Sequence, residues 1–95
     1  MKETDSYFIR NPDVRLEKKG DGGAILRHPD TEVVKKINGT GLFIWERCDG
    51  RHSYEEIIQE LFRTREGVSE EEVLQDVKEF LDDLYVQGFI GAYDE

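Results

Sequence analysis

The residues of this 95-residue sequence best suited to chemistry are two histidines, one cysteine, a run of three glutamates and a cluster of glycines. His28 and His52 lie far apart, without the HxxH or HxxxH spacing that puts two imidazoles on one metal, and only one of them is near Cys48. A surface or turn role is therefore expected for both, with no metal site. Cys48 and His52 would act as nucleophile and base only with an orienting third group and an oxyanion motif, and the sequence supplies neither. Cys48 is read as a packing residue, as is Trp45. Glu70-Glu71-Glu72 resembles an acid–base cluster, but it falls where a helix begins and where negative charge meets the positive end of the helix dipole. Gly20-Asp21-Gly22-Gly23 lacks the lysine-hydroxyl ending of a phosphate loop and has the chemistry of a hairpin turn. The expectation is a chain with no catalytic residues and no cofactor.

The residues suited to binding form two sets. Val33, Val34, Lys35, Lys36 and Ile37 read as a short strand; at a sheet edge its unpaired N–H and C=O groups would accept an added peptide strand. Lys35 and Lys36 would suit a peptide containing Glu or Asp, although edge lysines also serve simply to deter aggregation. The second set lies on the last helix. At 100° per residue Val73, Val77, Phe80 and Leu84 fall in one arc and are expected in the core. Leu74, Leu81 and Tyr85 widen that stripe to one side, with Lys78 at its border. That flank is the candidate groove wall, in which Leu81, nearest the arc, is the one expected to serve packing first.

The elements that position these residues follow from periodicity and punctuation. The first dozen residues read as a loosely held arm closed by the Asn11-Pro12-Asp13 turn. Val14–Lys18 alternates with period two as a strand with one face on the core, Ala24–His28 resumes the pattern after the glycine turn, and Glu32–Ile37 follows Pro29-Asp30. A first helix starts near Asn38 or Thr40 and stops before Asp49-Gly50. A second opens at Ser53 with Glu56 three residues on, and a third opens at Ser69 with Glu72 and ends at Gly88. Phe89-Ile90 tucks back onto the core, and Tyr93 to Glu95 fray.

Composition bounds the partners. Thirteen Lys and Arg against 22 Asp and Glu give a net charge of −9, which repels a phosphate backbone. Hydrophobic residues at 37% suffice for one core. The polar start has no signal-peptide core and no apolar run is long enough to span a bilayer, so a cytoplasmic protein without a membrane partner is expected. The lone cysteine agrees with a reducing compartment. Asn38-Gly39-Thr40 matches a glycosylation acceptor by accident on this reading.

The order of strand, hairpin, third strand and three helices resembles the PqqD family. More specific is Ile37-Asn38-Gly39-Thr40-Gly41-Leu42-Phe43-Ile44-Trp45, with Asp49-Gly50 closing it, which resembles that family's aliphatic-Asn pair, small-residue helix start, aliphatic-Trp pair and Asp-Gly. Gly41 departs from the alanine or serine usual there. Glu56-Ile57-Ile58, Phe80-Leu81-Asp82-Asp83-Leu84 and Gly88-Phe89-Ile90 look like the rest of the pattern, so the similarity runs from about Val14 to Ile90. The resemblance implies an α+β, winged-helix-like fold: a three-stranded antiparallel sheet followed by a three-helix bundle. The segment pattern divides the chain into a flexible arm over 1–13, the domain over 14–92 and a frayed end at 93–95. It implies a non-catalytic RiPP recognition element, a chaperone-like adaptor binding the leader of a ribosomally made precursor peptide. The leader would pair with the third strand against the third helix and be presented to a modifying enzyme, typically a radical SAM maturase, with PQQ biosynthesis one pathway among several. A winged-helix nucleic-acid-binding domain is the alternative, disfavoured because the third helix exposes Glu70, Glu71, Gln75, Asp76, Glu79, Asp82 and Asp83. Homodimerisation through the unpaired edge stays open.

Overall fold

A computed structural model describes residues 6–94. Along the chain come β1 (Ser6–Arg10), β2 (Arg15–Lys18), β3 (Ala24–Arg27), β4 (Val34–Ile37), α1 (Gly39–Glu46), β5 (Asp49–Ser53), α2 (Tyr54–Arg63), α3 (Glu70–Val86) and β6 (Ile90–Asp94). The class is α+β, with antiparallel sheets and three helices.

β2, β3 and β4 form the expected meander, with Leu16 opposite Leu26 and Leu26 opposite Lys35. Ala24 and Leu26, on one face of β3, are fully buried, and Ile37, paired with Ala24, is nearly so. The expected core face of the first strand is not found. All four residues of β2 are exposed, because Leu16 borders an open hollow of about 570 Å³ between the two sheets.

The second sheet, in the order β5-β1-β6, departs from the sequence reading. Ser6–Arg10, expected in a loose arm, is its central strand, with Tyr7 opposite both Ser53 and Tyr93. Tyr7-Phe8-Ile9 is a strong β-forming run, but its partner strands are remote in sequence, so no local pattern announces it. Tyr93, expected to fray, stacks on Tyr7 at 5.7 Å between ring centres and donates its hydroxyl to the carbonyl of Gly50. Residues 1–5 of the expected arm and Glu95 lie outside the described residues.

The helices begin and end where their capping chemistry dictates. Asn38 Oδ1 accepts from the Gly41 N–H at 2.8 Å, which decides between the two candidate starts of α1. Ser53 and Glu56 complete the reciprocal box of α2, at 3.1 and 2.9 Å. Ser69 accepts from Glu72 N–H to open α3. At the far end Gly88 takes φ +81°, Gly88 N–H bonds to Tyr85 O and Phe89 N–H to Leu84 O, the paired bonds of a Schellman stop. That reversal delivers Phe89 and Ile90 into the core, as expected, and starts β6 back along α3. Val73, Val77, Leu81 and Leu84 form the buried face of α3, while Phe80, expected in the core, is only partly buried at its margin. Among the described residues no helix is long and apolar enough to cross a membrane.

Candidate functional site

β4 is the outer strand of its sheet. Val33 O accepts from His28 N–H at 3.0 Å, so the peptide groups of Val33, Lys35 and Ile37 turn toward β3. By the alternation of an antiparallel ladder, those of Val34 and Lys36 then turn outward. Side chains alternate as well. Lys35 shares the helix-facing side with buried Ile37, while Val34, 51% exposed, and Lys36 lie on the other side. Val33, just before the strand, is also exposed. Lys36 has no hydrogen bond or ion pair among the described residues, whereas Lys35 reaches across to α3 and pairs with the carboxylate of Asp83.

That pair establishes which flank of α3 borders β4. The hydrogen bond from Lys35 holds the Asp83 carboxyl below its usual range against the opposing effect of burial, and Gln87 Nε2 donates to its other oxygen at 2.8 Å. Asp76, Glu79 and Phe80 lie on the same flank as Asp83, and with Lys35, Ile44 and Arg65 they line a hollow of about 380 Å³ between α3, α1 and the end of β4. Phe80 can approach α1 because Gly41 has no side chain: a Cβ there would stand 3.2 Å from the ring and 3.0 Å from Ile37 Cβ. The missing side chain at Gly41 thus lets Phe80 settle at the floor of this hollow.

The flank expected from the sequence lies on the opposite side of the helix. Leu81 is 2% exposed and belongs to the core. Lys78, Leu81 and Tyr85 border a separate hollow of about 210 Å³, closed by Phe8 and Ala92 of the second sheet and by Tyr54 of α2, and Lys78 pairs with Asp82 at 3.6 Å. Leu74 is exposed, with its carbonyl near the Tyr54 hydroxyl. The Val33 to Ile37 set and the Leu74, Lys78, Leu81, Tyr85 set are therefore not two walls of one groove. The apolar stripe is wide because α3 packs beside β6 and its sheet as well as against α2, and no local sequence pattern points to that sheet. Asp76, Glu79, Phe80 and Asp83 were missed; their one signal is an i, i+3, i+4, i+7 spacing beside the core arc.

The remaining candidates are occupied structurally. His28 is buried, its Nδ1 accepting from Asp30 and Thr31 N–H at 3.2 and 3.3 Å and its ring edge-on to Phe89, which is a turn role. His52 bridges Asp49 at 3.0 Å and Glu60 at 3.3 Å. Burial pushes the Cys48 thiol up to about 12, and it points at Ile44 O, so it is no nucleophile at neutral pH. No group of three or more metal-binding side chains occurs among the described residues. The hollow between the sheets is larger than either flank of α3 but borders neither β4 nor α3, and its Arg10 is committed to the carbonyls of Trp45 and Glu46 at 3.1 and 2.9 Å.

Comparison with known proteins gives four findings. No curated protein matches the sequence. Among solved structures, TbiB1 in complex with the TbiA(beta) leader peptide superposes with a TM-score of 0.77 at 21% identity, over 92% of this chain and 99% of that one. The heterocyclase TruD matches at 0.62 and 16% identity, over 93% of this chain but 12% of its own. The family model described as coenzyme PQQ synthesis protein D matches residues 23–90, from the turn before β3 to the start of β6, and the chain belongs to the PqqD family.

Proposed function

We propose that the chain is a non-catalytic adaptor that binds the leader of a ribosomally made precursor peptide as an added strand on β4 and presents it to a modifying enzyme, a radical SAM maturase being the expected partner. The observation that carries this reading is the outer edge of β4, with the peptide groups of Val34 and Lys36 turned outward beside the Phe80-floored hollow. Adding a strand satisfies such groups, and an adjacent recess with an aromatic ring among charged side chains supplies side-chain selectivity. Membership of the PqqD family and the likeness to a chain bound to a leader peptide support it.

Val33, Val34, Lys35, Lys36 and Ile37 keep their place in the proposal as the strand that receives the peptide. Leu74, Lys78 and Tyr85, on the other side of α3, have no part in receiving the strand. Leu81 acts through packing. The reaction belongs to the enzyme partner, and this chain supplies position and local concentration.

The test takes as its probe a precursor peptide from a short reading frame, if one is found beside the gene. Its leader, synthesised and titrated into the isotope-labelled chain, is expected to shift the amides of Val34 and Lys36 and of α3 from Asp76 to Asp83. Saturable binding that leaves these amides unmoved removes the proposal.

A further inference from the structure

We infer that the visiting strand has two unlike faces, with lysine or arginine on the face turned toward α3 and acidic or apolar side chains on the face beside Val34 and Lys36. This rests on strand addition at β4 and specifies the peptide chemistry that site selects.

A strand added to β4 continues its pleat, so every second side chain of the visitor falls on the side of Lys35 and Ile37 and meets the flank of α3. That flank presents Asp76, Glu79 and Asp83 around Phe80. The cations bordering the same hollow are Lys35 and Arg65. Lys35 is engaged by Asp83 and Arg65 by Asp76 at 3.5 Å, with Arg65 also on Thr40 Oγ1 at 3.3 Å. Glu79 takes a hydrogen bond from Gln75 at 2.7 Å and forms no ion pair among the described residues. Three carboxylates facing two cations leave the wall one negative charge in excess, within a chain that is itself at −9.

An acidic side chain entering there would meet Glu79 and the whole-molecule field together, and would have to draw Lys35 away from Asp83 to find a partner. A cationic one finds Glu79 open and can rest its methylenes on the Phe80 ring while its charge reaches the carboxylates. The other face of β4 has the reverse character, since Lys36 forms no ion pair among the described residues, Val34 is exposed beside it, and Arg27, opposite Val34 on β3, adds a second exposed cation. The two faces thus select by sign as well as by shape, and discriminate against the same peptide shifted by one residue.

The experiment displays a random library of 12-residue peptides and selects on the intact chain and on Glu79→Lys, a substitution at an exposed position whose folding is checked by circular dichroism. Enriched peptides are then titrated into the isotope-labelled chain. The expected result is lysine or arginine enriched at two positions separated by two or four, with an apolar residue adjacent in the same alternation. These peptides should shift β4 and the Asp76 to Asp83 amides, and their affinity should fall about 5-fold on Glu79→Lys. Peptides that shift those amides without a cation preference, or whose preference survives Glu79→Lys unchanged, overturn this inference and leave strand addition standing. Enriched peptides that shift only amides elsewhere, or a selection that enriches nothing, overturn strand addition and this inference with it.

Discussion

Gly23→Ala adds one carbon atom at the place where β4 hands over to α1. A Cβ at Gly23 would stand 2.4 Å from the backbone oxygen of Ile37, about 1 Å short of ordinary contact, and 3.3 Å from both Asn38 Cα and Asp21 Oδ1. Two of these three neighbours are backbone, so no rotamer change relieves the closest contact; either β3 or the Ile37–Asn38 junction must move. Inserting a methyl into a packed site costs about 1–3 kcal/mol, against which the stiffer unfolded chain returns about 0.4–1 kcal/mol. The net expectation is a loss of about 1–2 kcal/mol, or roughly 5–15 °C in Tm for a domain of this size. Gly20→Ala in the same turn is the control: nothing lies within 4 Å and its φ is not left-handed, so only the stabilising effect applies. Trp45, the sole tryptophan and 4% exposed, reports urea unfolding directly. Equal stability of the two variants, or a Gly23→Ala protein as stable as the parent, would refute the close approach of β3 to the base of β4.

Four further outcomes are expected. Lys36→Pro removes an outward N–H while sparing the β3–β4 ladder, so leader affinity should fall at least about 10-fold in calorimetric titration with a stability change within about 1 kcal/mol; an unaltered affinity would count against β4 as the receiving strand. Leu81→Ala should cost about 2–5 kcal/mol in urea unfolding and Tyr85→Ala less than about 0.5, since one is buried and the other 55% exposed; comparable losses would place Tyr85 in the core. The Asp83 carboxyl is lowered by the Lys35 hydrogen bond, so the pairing is complete above the ordinary carboxylate value near 3.9 and is lost as pH falls through the depressed one. Carboxyl NMR shifts of Asp83 should therefore show a midpoint below about 3.9, and a midpoint at or above that value would mean the pair is not formed. The Cys48 thiol should resist alkylation in the native protein near pH 8 and react at the ordinary rate in denaturant; fast native labelling would contradict its burial.

What the sequence could reveal was whatever is written within a few residues. The caps at Asn38, Ser53 and Gly88, the strands at β3 and β4, and the Val73, Val77, Leu84 face all have local signatures, and the structure has them where periodicity placed them. The second sheet does not: Tyr7-Phe8-Ile9 is β-forming, but nothing near β1, β5 or β6 shows that the three pair. Asp49–Ser53 contains no β-branched or aromatic residue and is extended because Tyr7 and Ile9 pair with it from the other end of the chain. The two halves of the candidate site come apart on the same ground. A helical wheel shows how wide the apolar stripe of α3 is, but only a tertiary contact, Lys35 with Asp83, tells which flank borders β4. With the second sheet unseen, the apolar flank that packs beside it had no visible partner and read as a vacant wall.

The pairing of Ser6 with Asp94 places the two ends of the described backbone side by side, one strand spacing of roughly 5 Å apart. Such a body can be spliced into a surface loop of a larger polypeptide like a plug on two adjacent pins, without stretching the host. The hinge of that plug would lie in the β5-β1-β6 sheet, while the strand edge offered to a visitor belongs to the other sheet. Tethering and reception thus fall on different sheets, and a host enzyme can hold one without covering the other.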